Sequence, residues 1–174
     1  LHARMRDCGL ALHPEKTKIV YCQDTQRKKE YHNTEFDFLG YTFKRRSAKS
    51  PYGLFLSFLP AVSEKAVRKM TEEIRSWRIS SITHISMEDL ANRINPKVRG
   101  WINYYGKFSK SILHKKVVNL IVRGLERWVT RKHKSLKRRP KIARQWLAEI
   151  AKRDPYLFSH WTMSGSNDGT TRAV

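Results

Sequence analysis

The sequence is short of acid. Across 174 residues, 15 Asp and Glu face 36 Lys and Arg, and the formal net charge is +21 at pH 7. Like charge at that density repels itself and contributes nothing to folding. It points instead to a polyanionic partner, most often nucleic acid, with a basic ribosome-like or architectural protein as the plainer form of the same idea. Cysteine is scarce too. Cys8 and Cys22 stand far apart, with no Cys or His at metal-ligand spacing. This argues against a disulfide framework or a zinc site, and makes a reducing cytosol the simpler setting. No apolar run is long enough to span a membrane, and no signal-peptide pattern is present. What remains is a chain that is 40% hydrophobic, enough for a real core in one domain or two small ones. It opens on Leu1 in what reads as mid-helix, as a piece of a longer protein would.

The charge is uneven. Residues 1–60 carry 11 Lys/Arg against 6 Asp/Glu, and residues 61–174 carry 25 against 9. The first segment is also the β-rich one. Leu1–Cys8 reads as the end of a helix stopped by Gly9. Thr17–Cys22, Phe36–Phe43 and Leu54–Leu59 read as strands, rich in β-branched and aromatic residues. Ser50-Pro51-Tyr52-Gly53 has turn chemistry, and Gln23–Asn33 is a polar loop.

After Pro60 the period becomes helical. Ser63 is placed to cap a helix carrying Val67, Met70, Ile74 and Trp77. Ser86 and Asp89 fit a capping box before Leu90 and Ile94. Asn95-Pro96 predicts a break or kink and a restart. Ser109 is placed to cap a long helix with Ile112, Leu113, Val117, Leu120, Ile121, Leu125 and Trp128. A further helix, about Lys141–Lys152, should bury Trp146, Leu147 and Ile150. Residues 164–174 are small and polar, and disorder is expected there. The fold class is therefore α+β: a small β-rich part, a three-helix bundle and a basic helical tail.

Two stretches carry the binding chemistry. Arg131–Arg144 holds eight Lys/Arg in fourteen residues, with no acid between Glu126 and Glu149. A solvated charge face mixes signs, so Arg131, Lys132, Lys134, Lys137, Arg138, Arg139, Lys141 and Arg144 read as phosphate-binding. The stretch NPKVRGWINYYGKF, residues 95–108, packs three cations, two glycines and four aromatics together. On a helical wheel Val98, Trp101, Ile102, Tyr105 and Phe108 form a core side. Gly100, Asn103 and Lys107 form the other, with Arg99 and Tyr104 at its borders. Gly100 weakens the helix by roughly 1 kcal/mol against alanine. Two readings of it stand: close approach of a partner, or tight helix packing inside the bundle.

Three strings together, GLALHPEKT at residues 9–17, FDFLGYTF at residues 36–43 and RGWINYYG at residues 99–106, resemble the proteins encoded by bacterial group II introns. These are reverse transcriptases that also act as splicing maturases, and the resemblance runs from about Leu1 to Trp161. It implies that residues 1–60 are the last part of the polymerase palm. Lys16 and Thr17 would lie beside the polymerase site, and Phe38, Leu39, Gly40 and Tyr41 would support the primer strand. Residues 61–130 would be the thumb, or X, domain that holds intron RNA and the template–primer duplex. Within it Lys97, Arg99, Gly100, Asn103, Tyr104 and Lys107 would be the RNA-binding residues. Residues 131–163 would be the basic region associated with target DNA.

The implied partners are group II intron RNA, target DNA and the fingers and remaining palm of the same protein. The implied setting is the bacterial cytoplasm, in association with nucleoprotein. The family's polymerase uses paired aspartates and magnesium. No two aspartates are adjacent in this chain, so magnesium is expected only at a polymerase site outside it and on the intron RNA, and the chain alone should not polymerise. Two rival classes remain. A standalone RNA- or DNA-binding protein without intron specificity explains the charge but not the strand motifs. A strand-cutting enzyme could draw on His133 or His160, and a tyrosine recombinase on an Arg/His/Tyr set, yet no local motif supports either. The lone histidines His84, His114 and His160 read as ordinary surface residues or hydrogen-bonded core residues.

Overall fold

The computed structural model describes residues 1–14 and 17–164. Lys16 and the tail from residue 165 onward lie outside the described residues. The chain begins with a short helix, α1 (His2–Asp7). Gly9, at φ +69°, ends it. The amides of Gly9 and Leu10 turn back to the carbonyls of Arg6 and Met5, closing the helix end in the left-handed manner expected of glycine.

Thr17–Cys22 does not form a strand. A run of β-formers becomes one only when a neighbouring strand takes its backbone groups. Here the Tyr21 amide bonds to the Asn33 carbonyl at 2.8 Å, no ladder forms, and Ile19 is 93% exposed. Residues 23–33 form a loop, as expected. The single strand expected over 36–43 is instead two, β1 (Phe36–Phe38) and β2 (Tyr41–Ser50). Leu39 and Gly40 between them have φ of 48° and 80°, the tight hairpin turn whose twist matches its strands. The third strand, β3 (Gly53–Val62), runs beyond the expected 54–59. It pairs antiparallel with β2 over ten positions, from Tyr41 opposite Val62 to Ser50 opposite Gly53. The sheet order is β1-β2-β3. Pro51 and Tyr52 form the distal turn, braced by the Ser50 hydroxyl, which accepts from the Tyr52 amide at 3.2 Å.

The helices follow. α2 (Glu64–Ser76) is capped by Ser63, whose hydroxyl accepts from the Ala66 amide at 3.2 Å. α3 (Met87–Tyr105) starts with a reciprocal Ser86–Asp89 capping box. It runs through Pro96 without interruption. Proline in a helix interior costs about 3 kcal/mol, but here both halves of the helix are held by packing: Leu90, Ala91 and Ile94 before the proline, and Val98 after it, are all buried. α4 (Lys110–Leu113) leads through a π-helical turn (His114–Val118) into α5 (Asn119–Lys132). The wider turn resets the helical phase, so the adjacent Val117 and Val118 are both buried. Ser109 does not cap this run; its hydroxyl donates to the Pro60 carbonyl at 3.0 Å and so ties the helix start to β3.

α6 (Pro140–Arg153) and the short α7 (Trp161–Ser164) complete the chain. Leu147 and Ala143 of α6 are buried, whereas Trp146 and Ile150 only pack at the core's margin. The core itself joins Met70 and Ile74, Leu90, Ile94 and Val98, Ile121, Leu125 and Trp128, and Phe158. The architecture is α+β: a three-stranded antiparallel sheet followed by helices closed around one apolar core. No helix among the described residues is long and apolar enough to cross a membrane.

Candidate nucleic-acid interface

The Leu39–Gly40 turn lies against the C-terminal end of α3. The Tyr104 hydroxyl donates to the Leu39 carbonyl at 2.8 Å, and the Tyr41 hydroxyl donates to the Tyr104 carbonyl. The Tyr41 ring lies 5.4 Å from Tyr104, 5.5 Å from Tyr105 and 5.4 Å from Phe108. Burial, then the neighbouring Tyr104 and Tyr105 phenols, pushes the Tyr41 hydroxyl above its ordinary pKa, so it stays a donor at neutral pH. Two motifs more than sixty residues apart in sequence thus form one aromatic joint. Gly40 is required there, because a Cβ on it would sit 2.8 Å from the Tyr105 hydroxyl. Of the four residues expected to support a primer, Gly40 and Tyr41 are built into this joint, and Phe38 and Leu39 stay largely exposed at its edge. Thr17 is exposed in the N-terminal segment, apart from the hairpin.

α3 divides by face. Val98 is buried, and Trp101, Ile102 and Tyr105 are half-buried, with Trp101 stacked 5.6 Å from Trp77. Phe108 departs from the expected core side. It lies past the helix end and is 41% exposed, with one edge on Tyr41. On the other side Arg99, Gly100, Asn103 and Lys107 are exposed. A Cβ on Gly100 would meet nothing within 4 Å, so helix packing is not why glycine stands there. Arg99 and Asn103 have no hydrogen-bond or ion-pair partner among the described residues, and the Lys107 ammonium lies 5.9 Å from the Phe108 ring centroid. Lys97 differs, because it pairs with Glu73. The Lys97 hydrogen bond, then that of the Trp77 indole, holds the Glu73 carboxyl below its ordinary pKa. Tyr104 is committed to the joint. One residue escaped the sequence reading: Arg93, exposed and seven residues before Gly100, extends the same stripe. Helical periodicity carried that signal. From Arg93 to Asn103 the stripe is about 15 Å long, and Lys107 continues it just past the end of α3.

The basic run divides as well. Arg131 donates to the Ser80 carbonyl at 3.0 Å and to its hydroxyl at 3.3 Å. Lys132 donates to the Thr83 and Ile85 carbonyls and lies 5.0 Å from the Trp128 ring centroid. Arg144 forks onto Glu126 at 2.7 and 3.4 Å, and that carboxylate raises the guanidinium pKa. These three cations hold α5 and α6 in place. Lys134, Lys137, Arg138, Arg139 and Lys141 are exposed, and none has an ion-pair partner among the described residues. Leu136, buried beneath them, pins the connection between α5 and α6. Exposed cations without a carboxylate partner have the charge to meet phosphates. Among the described residues no three or more His, Cys, Asp or Glu side chains are placed to hold a metal ion. The polymerase magnesium implied by the family resemblance does not fit the residues present.

Residues 67–146 match the family model of the group II intron, maturase-specific domain. The chain carries a group II intron maturase-specific domain. The matched segment starts in α2, takes in all of α3, α4 and α5, and ends midway along α6. Both the exposed α3 stripe and the free cations of the basic run therefore lie inside the maturase domain. The domain supports a role in group II intron splicing and implies association with group II intron RNA. No curated protein and no solved structure shows a match to the chain.

Proposed function

We propose that the chain grips group II intron RNA with two surfaces of its maturase domain: the α3 stripe of Arg93, Arg99, Gly100, Asn103 and Lys107, and the five free cations between Lys134 and Lys141. The observation that carries this reading is the open ground over Gly100, where no neighbour lies within 4 Å of a Cβ. An exposed helix keeps a weak residue when something must come close to its backbone. Arg99 and Asn103 flank that gap as free donors for phosphate or 2′-hydroxyl oxygens. The mechanism is positioning: cations neutralise phosphates and release counterions, and the helix face tracks the RNA shape. On the same reading, a reverse transcriptase palm precedes the domain, and template–primer duplex and target DNA share the basic run. Magnesium then belongs to the polymerase carboxylates of that palm and to the RNA.

The test is a filter-binding titration with group II intron RNA beside thermal melts. Asn103→Ala and Lys107→Ala should leave stability within about 0.5 kcal/mol. They should still weaken binding, and Lys107→Ala should reduce the slope of log affinity against log salt by about 0.7–0.9. Gly100→Leu should keep or slightly raise the melting temperature and lose affinity. If all three variants bind as the parent does, the stripe is not a gripping surface.

A further inference from the structure

The outer half of the β2–β3 hairpin lies outside the matched residues 67–146 and contributes none of the contacts described for the aromatic joint. Its root is fixed, since Tyr41, Ala61 and Val62 are buried. Ten residues per strand carry its tip about 30 Å from that root. At the tip Tyr52 is fully exposed at 100% and Leu54 is 80% exposed, whereas Phe55, next along the strand and opposite the buried Ala48, belongs to the other face. An exposed tyrosine ring with an exposed leucine near it offers a flat apolar surface to a partner.

The surrounding charge indicates what the partner is. From Phe38 to Ser63 the chain contains no acid. Four cations lie on β2, and two of them are occupied. Lys44 pairs with Glu35 at 3.3 Å. Arg46 donates to the Leu59 and Thr42 carbonyls at 3.2 and 3.3 Å. Arg45 and Lys49 are exposed and have no ion-pair partner among the described residues. The register puts them on one face: Arg45 is opposite Phe58 and Lys49 is opposite Leu54. The two therefore lie about 13 Å apart along the strand, beside the apolar tip.

A protein strand adding to the free edge of β3 fits less well. Thr25 already occupies that edge at Leu56: its amide and hydroxyl donate to the Leu56 carbonyl, and its hydroxyl accepts from the Leu56 amide at 2.9 Å. Aromatic and aliphatic surface flanked by unpaired cations suits an unpaired nucleotide, which has an apolar face and an anionic backbone.

We propose that the outer half of this hairpin is a second nucleic-acid site, taking a single-stranded segment with a base stacked on Tyr52 beside Leu54 and phosphates held by Arg45 and Lys49. RNA and DNA share that chemistry, so both serve as probes. The site is separate from the α3 stripe and does not depend on intron recognition.

Fluorescence anisotropy on the full chain tests it, using a labelled single-stranded RNA, the same sequence as DNA, and the RNA in a fully paired duplex. Tyr52→Ala should weaken binding of both single strands by about 5- to 100-fold, and Tyr52→Phe should restore it to within about twofold. Arg45→Ala with Lys49→Ala should flatten the salt dependence for single strands. Duplex binding should change little in any of these variants. Single-strand affinity unaltered by Tyr52→Ala would overturn the proposal, as would an equal loss for duplex and single strand. Asn103→Ala, read on the same probes, separates the two surfaces. It should leave single-strand binding intact, so failure of the α3 reading and failure of the hairpin reading show in different variants.

Discussion

Gly40→Ala is the sharpest probe of the joint between the sheet and α3. Two costs combine at this position. Gly40 has φ +80°, where an L side chain is disfavoured by about 1–2 kcal/mol. The added Cβ would also lie 2.8 Å from the Tyr105 hydroxyl and 3.2 Å from its ring edge. That ring cannot swing away freely, because Tyr41 and Tyr104 lie 5.5 Å and 4.8 Å from it. Overpacking of this kind adds about 1–3 kcal/mol, for a total of about 2–5 kcal/mol. Gly9 is the internal control. It has φ +69° but nothing within 4 Å of its Cβ, so Gly9→Ala reports the backbone term alone. Gly100→Ala should go the other way and gain up to about 1 kcal/mol, as an exposed helical site with open space. Urea unfolding of the three variants gives the comparison. Adding Tyr105→Phe to Gly40→Ala removes the nearest clashing atom and should recover part of the loss, a coupling a double-mutant cycle isolates. The reasoning fails if Gly40→Ala costs no more than Gly9→Ala.

Two further predictions concern charge. His160 is fully buried with neither ring nitrogen hydrogen-bonded among the described residues. Burial first, then the nearby His114, lowers its pKa from 6.5 to about 4. The folded state therefore holds this ring neutral while the unfolded state protonates it. The stability it preserves is intact above pH 6.5, falls as pH drops below that value, and costs about 2 kcal/mol between pH 7 and pH 5. Urea midpoints across that range should show the fall, and His160→Phe should flatten it; a parent curve as flat as the variant's would contradict the burial. Reversing Lys137, Arg138 and Arg139 to glutamate should weaken binding across RNA and DNA sequences alike and reduce the salt slope by about 0.7–0.9 for each phosphate no longer neutralised; an unchanged slope would make the run a solvated face.

What was legible in the sequence was local chemistry. Ser63, the Ser86–Asp89 pair and Gly9 act within a few residues of themselves, and each ends or starts its helix as expected. Most core positions of α2, α3 and α5 followed from periodicity, although Val67 and Leu120 are only half-buried and Phe108 is exposed. Long-range competition was not legible. Pro96 reads as a break, but buried residues on both sides override its local preference. Leu39 gives no sign of positive φ, and the turn it helps form is held by Tyr104, 65 residues away. Thr17–Cys22 has strand composition but no strand beside it. His160 read as ordinary because a lone histidine carries no signal of its surroundings. The division of the basic run into three occupied and five free cations depends on where Ser80, Thr83, Ile85 and Glu126 come to lie.

The central claim is recognition of intron RNA through the open stripe on α3. Its most direct test is competition: protein bound to labelled group II intron RNA, challenged with the same RNA unlabelled and with a structured RNA of equal length unrelated to any intron. At moderate salt the intron RNA should compete at least tenfold better, and that margin should shrink when Arg99, Asn103 and Lys107 are changed together to alanine, without a fall in melting temperature. Equal competition by the two RNAs would contradict the account and leave a basic protein that binds RNA without intron specificity.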